Sequence, residues 1–335
     1  MFFVEEISRE NLNIEEYYNF QNKKLFTTID WIDFVQEDSK ATPVFLRIRD
    51  ENRLVGYFTC AIVTKFGVRI AGSPFSGWST CYMGFDVVPG INKLDLIPCV
   101  KEYLFKKKKV LLIEFTDRDI ILEDARDAGY DASISNTLEL QIDRSDEELF
   151  KVFKPDCRNF IRQFERRGAI LEHVIPNDSF AEEYYRQLED VFAKQGLVPT
   201  YSLAKVKCLL NHLTDGENVL CQQVRDPKGN IIATSIFLAY NEIFYFWGGA
   251  SYRSGQCYRP NEYMLWNAIK YWRDKGYKCF DMVGVRDYKR KFGSCEVEYA
   301  RILIARYPLI IALRNMAERA YFKSLKIKGK ILKRD

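Results

Sequence analysis

Twice along this chain of 335 residues, two apolar runs face each other across a short polar turn. In the first half "PVFLRIRD" and "LVGYFTCAIVTKFG" meet at the polar turn "DENR"; in the second, "NVLCQQVRD" and "IIATSIFLAY" meet at "PKGN". Runs rich in Val, Ile, Phe and Thr, bounded by Asp, Asn, Gly and Pro, are strands paired as hairpins. The segments after the two hairpins also correspond. "VRIAG" and "EIFYFWGGAS" read as third strands, succeeded by the loops "SPFSGWSTCYMG" and "YRSGQCYR". Helices are expected near 92–105 and over "PNEYMLWNAIKYWRDKG", the latter opened by Pro260 and closed by Gly276. Buried strands "VLLIEF" and "KCFDMV" come next, and each half ends in a further strand, "TLELQID" and "EYARILIARY". One α+β unit is thus used twice, each copy a mixed sheet flanked by helices. The second copy is preceded by helices near 145–167, 178–194 and 202–213 and by the run "AILEHV". The expected division is 1–145, 146–308, and a C-terminal helix with a basic amphipathic tail over 309–335.

Composition narrows the function classes. Nine cysteines, none spaced as C-x-x-C, and only two histidines, His173 and His212, supply neither a disulfide framework nor a metal site, so no metal is expected. Free thiols in that number suit a reducing compartment. The opening "MFFVEEISRE" is acidic and lacks the basic-then-apolar order of a signal peptide. No apolar run is long enough to span a bilayer. A cytoplasmic chain is expected. The net charge is +4, yet from Arg314 to Asp335 eight cations oppose two acids, so this stretch carries +6 and the rest of the chain a net −2. A mildly acidic body argues against DNA as a partner. The tail, apolar at Ile310, Leu313, Ala317 and Tyr321 and then alternating basic and apolar in "KIKGKILKRD", suits an anionic membrane surface, which would make the protein peripheral at the cytoplasmic face; a docked helix with a frayed basic end is the plainer alternative.

Several stretches have the makings of a site. "FDMVGVRDYKRKFG", Phe280 to Gly293, leaves a buried strand and gathers Arg286, Lys289, Arg290 and Lys291 before closing on Phe-Gly. A solvated basic turn accounts for the charge, though not for Phe292. In "CRNFIRQFERRG", Arg158, Arg162 and Arg166 are four apart and share a helix face; Arg forks suit phosphate or carboxylate oxygens, while an ordinary solvated face needs only their charge. The uncharged loop around Trp78, Thr80 and Tyr82 reads as a sugar- or peptide-binding surface or as a packed loop. Asp281 lies inside a strand, where a carboxylate must be paired; it serves as a base for an attacking amine or as a structural partner. The helix start at Pro260–Asn261 offers backbone N–H groups to a phosphate.

The second half also resembles a family. "FYFWGGAS" with Trp247, a loop, a Pro-Asn helix, "GYKCFDMVG" and the run Tyr288-Lys289-x-x-Phe292-Gly293 are similar to the Fem-type, GNAT-like acyltransferases, which include peptidoglycan-bridge aminoacyltransferases and related enzymes of envelope-polysaccharide synthesis. "TIDWIDF" and "CRNFIRQFERRGA" are weaker echoes. The resemblance implies two tandem GNAT-like domains. It gives Lys289 the stabilisation of a tetrahedral oxyanion, with Tyr288 beside it, and favours Arg158 among the three arginines. It implies that the loop of Trp78, Thr80 and Tyr82 helps to shape the acceptor site, and with the residue readings above it leaves substrate contacts expected at Trp78, Thr80, Tyr82, Arg158, Arg162, Trp247, Asn261 and Arg286. The long helical arm of the staphylococcal bridge enzymes has no counterpart, and neither half has the Gln/Arg-x-x-Gly-x-Gly/Ala loop with which ordinary GNAT enzymes hold coenzyme A. The expected activity is acyl transfer, with acyl-CoA as donor, to an amine of a nucleotide- or lipid-linked cell-envelope sugar. Aminoacyl-tRNA donation to a peptidoglycan precursor is the second reading, with tRNA then a partner. A non-catalytic scaffold at a membrane is the third.

Overall fold

The structure is a computed structural model that describes residues 2–316 and 319, apart from 66 and 76. Its elements, in chain order, are β1 (Phe2–Ile7), α1 (Ile14–Tyr18), α2 (Ile29–Ser39), β2 (Thr42–Asp50), β3 (Arg53–Lys65), β4 (Val68–Ser73), β5 (Phe85–Val87), α3 (Ile97–Lys106), β6 (Leu112–Asp117), α4 (Leu122–Asp127) and β7 (Asp131–Gln141). They continue with α5 (Asp146–Val152), α6 (Pro155–Arg166), β8 (Ile170–Val174), α7 (Asp178–Lys194), α8 (Leu203–His212), β9 (Val219–Arg225), β10 (Ile231–Tyr240), β11 (Ile243–Ser251), α9 (Pro260–Asp274), β12 (Cys279–Asp281) and β13 (Cys295–Ala305). A further helix covers 308–316. Residues 317, 318 and 320–335, which hold most of the expected basic tail, lie outside the described residues. No helix among the described residues is long and apolar enough to cross a membrane.

Packing divides the chain otherwise than sequence order does. Among the described residues, one compact unit comprises 2–135 with 298–316, and the other comprises 136–297. Each unit therefore takes its final strand from the other half of the sequence. In the first unit the sheet runs β1-β2-β3-β4-β6-β13 and β5 pairs with a separate part of β3. In the second it runs β7-β12-β11-β10-β9-β8. Within each unit the strand pairs are antiparallel except for one, β4 with β6 in the first and β11 with β12 in the second. Each parallel pair is joined by a crossover containing a helix, α3 or α9, as parallel strands require. The twofold plan of the sequence is therefore real, and the fold is α+β with a mixed sheet flanked by helices in each unit.

Local chemistry sets the helix ends. Ser145 and Glu148 form a capping box at α5, and Pro260 opens α9. The first core gathers Leu46, Phe58, Ile113, Phe115 and Ile302 with Leu104 of α3. The second gathers Leu140, Phe237, Phe244 and Phe280 with Trp266 and Trp272 of α9. Each such side chain contributes about 1.5–3 kcal/mol when fully buried. The core holds α9 against β9, β10 and β11, and so fixes the helix start around which the site is built.

Candidate active site

The site begins where two parallel strands part. β11 and β12 are in register for three pairs only: Ile243 with Cys279, Phe244 with Phe280, and Tyr245 with Asp281. Phe244 and Phe280 stack with centroids 4.1 Å apart and lock this stretch. β12 then ends, and the Met282 N–H turns to the Leu138 carbonyl at 2.8 Å. β11 runs on to Ser251, and among the described residues no strand pairs with it beyond Tyr245 on that side. On its other side its register with β10 shifts, because Ile236 pairs with Gly248 while Phe237 pairs with Phe246. Trp247 is the extra residue of this bulge. Bulges turn a strand and re-aim its side chains. The Trp247 ring lies 5.1 Å from that of Tyr201 and 6.3 Å from that of Tyr184, and its Nε1 is buried with no hydrogen-bond partner among the described residues. Such an orphan donor is costly. The next residue has to be glycine, since a Cβ on Gly248 would come within 2.2 Å of the Tyr184 hydroxyl. That hydroxyl bonds to the Tyr201 hydroxyl at 2.6 Å. Desolvation raises both phenols, Tyr201 to about 12, so both stay protonated at neutral pH.

Beside this open edge stands the loop that carries Lys289. The lysine is only 5% exposed. Its ammonium donates to the carbonyl oxygens of Met282 (2.5 Å), Val283 (2.7 Å) and Gly284 (3.4 Å) and lies 5.5 Å from the centroid of Phe246 on β11. Val283 adopts φ +54°, an outlier for a β-branched residue and a store of strain. Opposing groups hold it there. Asp281, fully buried, accepts from the Val283 N–H (2.8 Å) and the Thr137 hydroxyl (2.5 Å), and Thr137 Oγ1 in turn accepts from the Gly284 N–H (3.1 Å). Phe292 returns the loop to the core against Phe153, and a Cβ on Gly293 would press within 2.6 Å of the Val152 carbonyl. Tyr288 remains 45% exposed next to Lys289, yet desolvation pushes its phenol to about 12. Arg286 points outward with its side chain exposed.

The start of α9 supplies positive charge. Arg259, in the left-handed region at φ +58°, precedes Pro260 and sets its guanidinium 4.2 Å from the Phe160 ring of α6. Lys291 lies 5.0 Å from the same ring and pairs with two carboxylates, Asp156 at 3.2 Å and Glu262 of the first turn at 3.7 Å. Asn261 is exposed in the first turn. The three expected arginines of α6 behave differently from one another. Arg158 is half-buried and bonds to the Phe150 carbonyl at 3.2 Å, Arg162 is exposed and lies 5.9 Å from the Phe150 ring, and Arg166 bonds back to the Arg162 carbonyl. Phe164, on the opposite face, stacks on Tyr263 at 3.9 Å.

Trp78, Thr80 and Tyr82 belong to the first unit. Trp78 and Tyr82 are buried, Tyr82 packing against Phe26 and Tyr299, while Thr80 accepts from the indole of Trp31 at 3.1 Å. In this conformation their loop forms part of a packed interior. The same unit has a cavity of about 170 Å³ between Ile91–Leu94 and Asp119–Ile121, floored by Lys93. Lys93 is paired with Asp117 (2.7 Å) and Asp119 (2.8 Å), which accounts for its charge within the fold. Sequence reasoning passed over Arg259, Thr137, Val283 and the Tyr184–Tyr201 pair. The paired glycines of "FYFWGGAS" were the available signal for the bulge, since glycine inside a strand marks a bulge or a close backbone approach.

A family model for an acetyltransferase (GNAT) domain matches residues 151–290, which include α6, α9, the bulge and Lys289. No curated protein sequence matches the chain. Among solved structures, FemX superposes with a TM-score of 0.71 at 14% identity, over 88% of this chain and 96% of FemX. A tandem GNAT protein from the clavulanic acid biosynthesis pathway gives 0.56 at 12% identity over 92% and 99%. The C-terminal domain of a putative lysylphosphatidylglycerol synthetase from Agrobacterium fabrum gives 0.51 at 12% identity over 78% and 84%. At these identities the likeness is one of fold.

Proposed function

We propose that this chain, which matches an acetyltransferase (GNAT) domain over residues 151–290 and has a tandem GNAT-like fold, is a Fem-like, GNAT-like acyltransferase that moves an acyl group from acyl-CoA to an amine of a nucleotide- or lipid-linked cell-envelope sugar precursor. The observation that carries the donor assignment is the unpaired edge of β11 beyond Tyr245, with Arg259 and Lys291 at the adjoining helix start. An extended donor with amides along its arm and a diphosphate at its end matches free strand amides at one point and cations with helix N–H groups at another. The first unit has neither feature in this form: the β3–β4 register is unbroken and β4 pairs with β6 up to Ser73.

In the reaction the amine nitrogen attacks the thioester carbonyl. A C–N bond forms, the C–S bond breaks, one proton leaves the nitrogen and one reaches the thiolate. Tyr288, protonated at neutral pH and partly exposed, is the candidate proton donor. The Trp247 indole offers a hydrogen bond to a ligand oxygen. Lys289 and Asp281 act as positioning residues, because their polar atoms bond to the loop backbone. We assign acceptor contacts to Arg158, Arg162, Asn261 and Arg286, and a supporting role to the Trp78–Tyr82 loop. A cytoplasmic location fits a CoA donor.

Thermal-shift measurements with coenzyme A, acetyl-CoA and longer acyl-CoAs, charged tRNA and nucleotide amino sugars test this reading. A ligand at a hundredfold its Kd stabilises the native state by about 2.7 kcal/mol. Acyl-CoAs are expected to raise the melting point of the native chain, and Arg259→Ala with Lys291→Ala to remove most of the rise. Stabilisation by charged tRNA and by no acyl-CoA would replace this donor with the aminoacyl-tRNA reading and its peptidoglycan-precursor acceptor.

A further inference from the structure

We propose that the outward face of the helix over 308–316 seats this protein on an anionic lipid surface. A helix on a soluble protein normally turns its apolar stripe inward. Here the stripe faces out. Leu309, Ala312, Leu313 and Met316 fall at i, i+3, i+4 and i+7, and all four are exposed, Leu309 by 67%, Leu313 by 51% and Met316 by 65%. Ile310, expected on the same face as Leu313, is instead half-buried, and Ala317 and Tyr321 lie outside the described residues. The inner side is held by other contacts. Ile310 and Ile311 are half-buried, and Arg314 pairs at 3.3 Å with Glu114, a carboxylate almost completely buried in β6. The helix is thus fastened from behind with its apolar stripe left open.

The surroundings select the occupant. Tyr307, 54% exposed, stands at the helix start with the Arg306 guanidinium 5.9 Å from its ring. An amphipathic ring beside a cation suits the headgroup level of a bilayer. From Arg314 to the end of the sequence eight cations face two acids, while the rest of the chain is net negative. An apolar protein partner would use the stripe and have no need of this charge. An anionic bilayer uses both. Three large apolar side chains alone give weak, reversible attachment, so a second signal is required, and the basic stretch provides it. The inference does not depend on the transferase chemistry, although a lipid-linked acceptor would be met at the same surface.

Flotation of the full chain with vesicles of phosphatidylcholine, alone or mixed with phosphatidylglycerol, tests it. Binding is expected only to the mixed vesicles and is expected to weaken as salt is raised. Leu309→Ser/Leu313→Ser/Met316→Ser should lower partitioning at least about tenfold, because the inserted apolar area is lost. Each of Lys326→Glu and Lys328→Glu should lower it by roughly fivefold or more, since each cation near the surface contributes about 1 kcal/mol. The serine variant should melt with the wild type and release CoA from acyl-CoA in the presence of a soluble acceptor at the wild-type rate, which separates this inference from the donor assignment. Equal binding to both vesicle types, no binding, or a serine variant that floats like the wild type would overturn the inference. So would a stripe that serves only to pair two copies of the chain, seen as a dimer that the serine variant abolishes without any vesicle binding.

Discussion

Replacing Lys289 with Met removes the ammonium and nearly preserves the volume, so it isolates the clamp on the 282–284 carbonyls. A hydrogen bond from a charged donor contributes about 1.5–3 kcal/mol, and a buried acceptor left unpaired costs a similar amount. The bond to Met282 is buried and counts in full. The bond to Val283 is partly solvated and counts for about half, and the 3.4 Å contact to Gly284 is too long to add much. The loss comes to about 3–4 kcal/mol. Strain acts in the same direction. Val283 at φ +54° is held against a conformational cost of about 1–3 kcal/mol, and the loop is freer to relax once one side of the clamp is gone. Local opening of 282–292 should therefore become easier by a factor of roughly 10²–10³. Amide hydrogen exchange read by mass spectrometry reports this directly, with peptides from β2 and β3 as internal controls. Val283→Gly in the Lys289→Met background should recover part of the protection, because glycine adopts positive φ without strain. Unchanged exchange in 282–292 for Lys289→Met would refute the clamp. Activity gives a second reading: a lysine that donated directly to the oxyanion would cost about 10²–10³ in kcat even where exchange stayed the same.

Gly248→Ala should destabilise the chain by about 1–3 kcal/mol, because the new methyl group meets the Tyr184 hydroxyl, and Tyr184→Phe in the same chain should restore most of it; urea melts that fail to show this rescue would remove Tyr184 as the cause. Asp119 gives a pH prediction. Desolvation on its own would raise its pKa, but the charges of Lys24 and Lys93 outweigh it and hold the carboxyl well below the usual range. A depressed folded-state value means that its stabilisation is present above about pH 4 and is lost as pH falls through the lower, folded-state pKa. Asp119→Asn should thus be less stable than wild type at neutral pH and converge with it in strong acid; a stability gap that does not change with pH would contradict this pairing.

The sequence announced elements more readily than partners. Hairpins, third strands and α9 were legible because long apolar runs and Pro or Gly punctuation leave little ambiguity. β1 was not: its residues alternate between half-buried and exposed, with Phe3 outward, which reads as a charged opening segment. β5 has three residues, too few for any period. The exchange of final strands between units was invisible, because a pattern marks a strand without saying which edge it joins. At the site, the Tyr-Lys-x-x-Phe-Gly run pointed to Lys289, but not to the three carbonyls it binds. Thr137, which completes the clamp, lies 144 residues from Asp281 in sequence. The position of Arg259 was hidden for another reason: a residue before proline is expected to be extended, and here it is left-handed.

The twofold plan also bears on what Asp281 does. β6 and β12 occupy equivalent positions, each parallel to the strand before its crossover helix, and each ends in a buried aspartate, Asp117 or Asp281. Asp117 accepts the N–H of Asp119, two residues on, at 2.9 Å; Asp281 accepts the N–H of Val283, also two residues on, at 2.8 Å. This is the Asx turn by which an aspartate closes a strand end. In the first unit a lysine, Lys93, completes the arrangement by pairing with the carboxylate itself. In the second, Lys289 is set on the carbonyls beyond it. Since the turn recurs in a unit whose strand pair stays closed, the carboxylate has a structural use that owes nothing to catalysis. The second unit differs in leaving the neighbouring strand edge open, through the bulge at Trp247 and the early end of β12. On the proposed reading, chemistry specific to this protein is to be sought along that edge and at Tyr288, while the hydrogen bonds of Asp281 and Lys289 run to the backbone of the loop beside it.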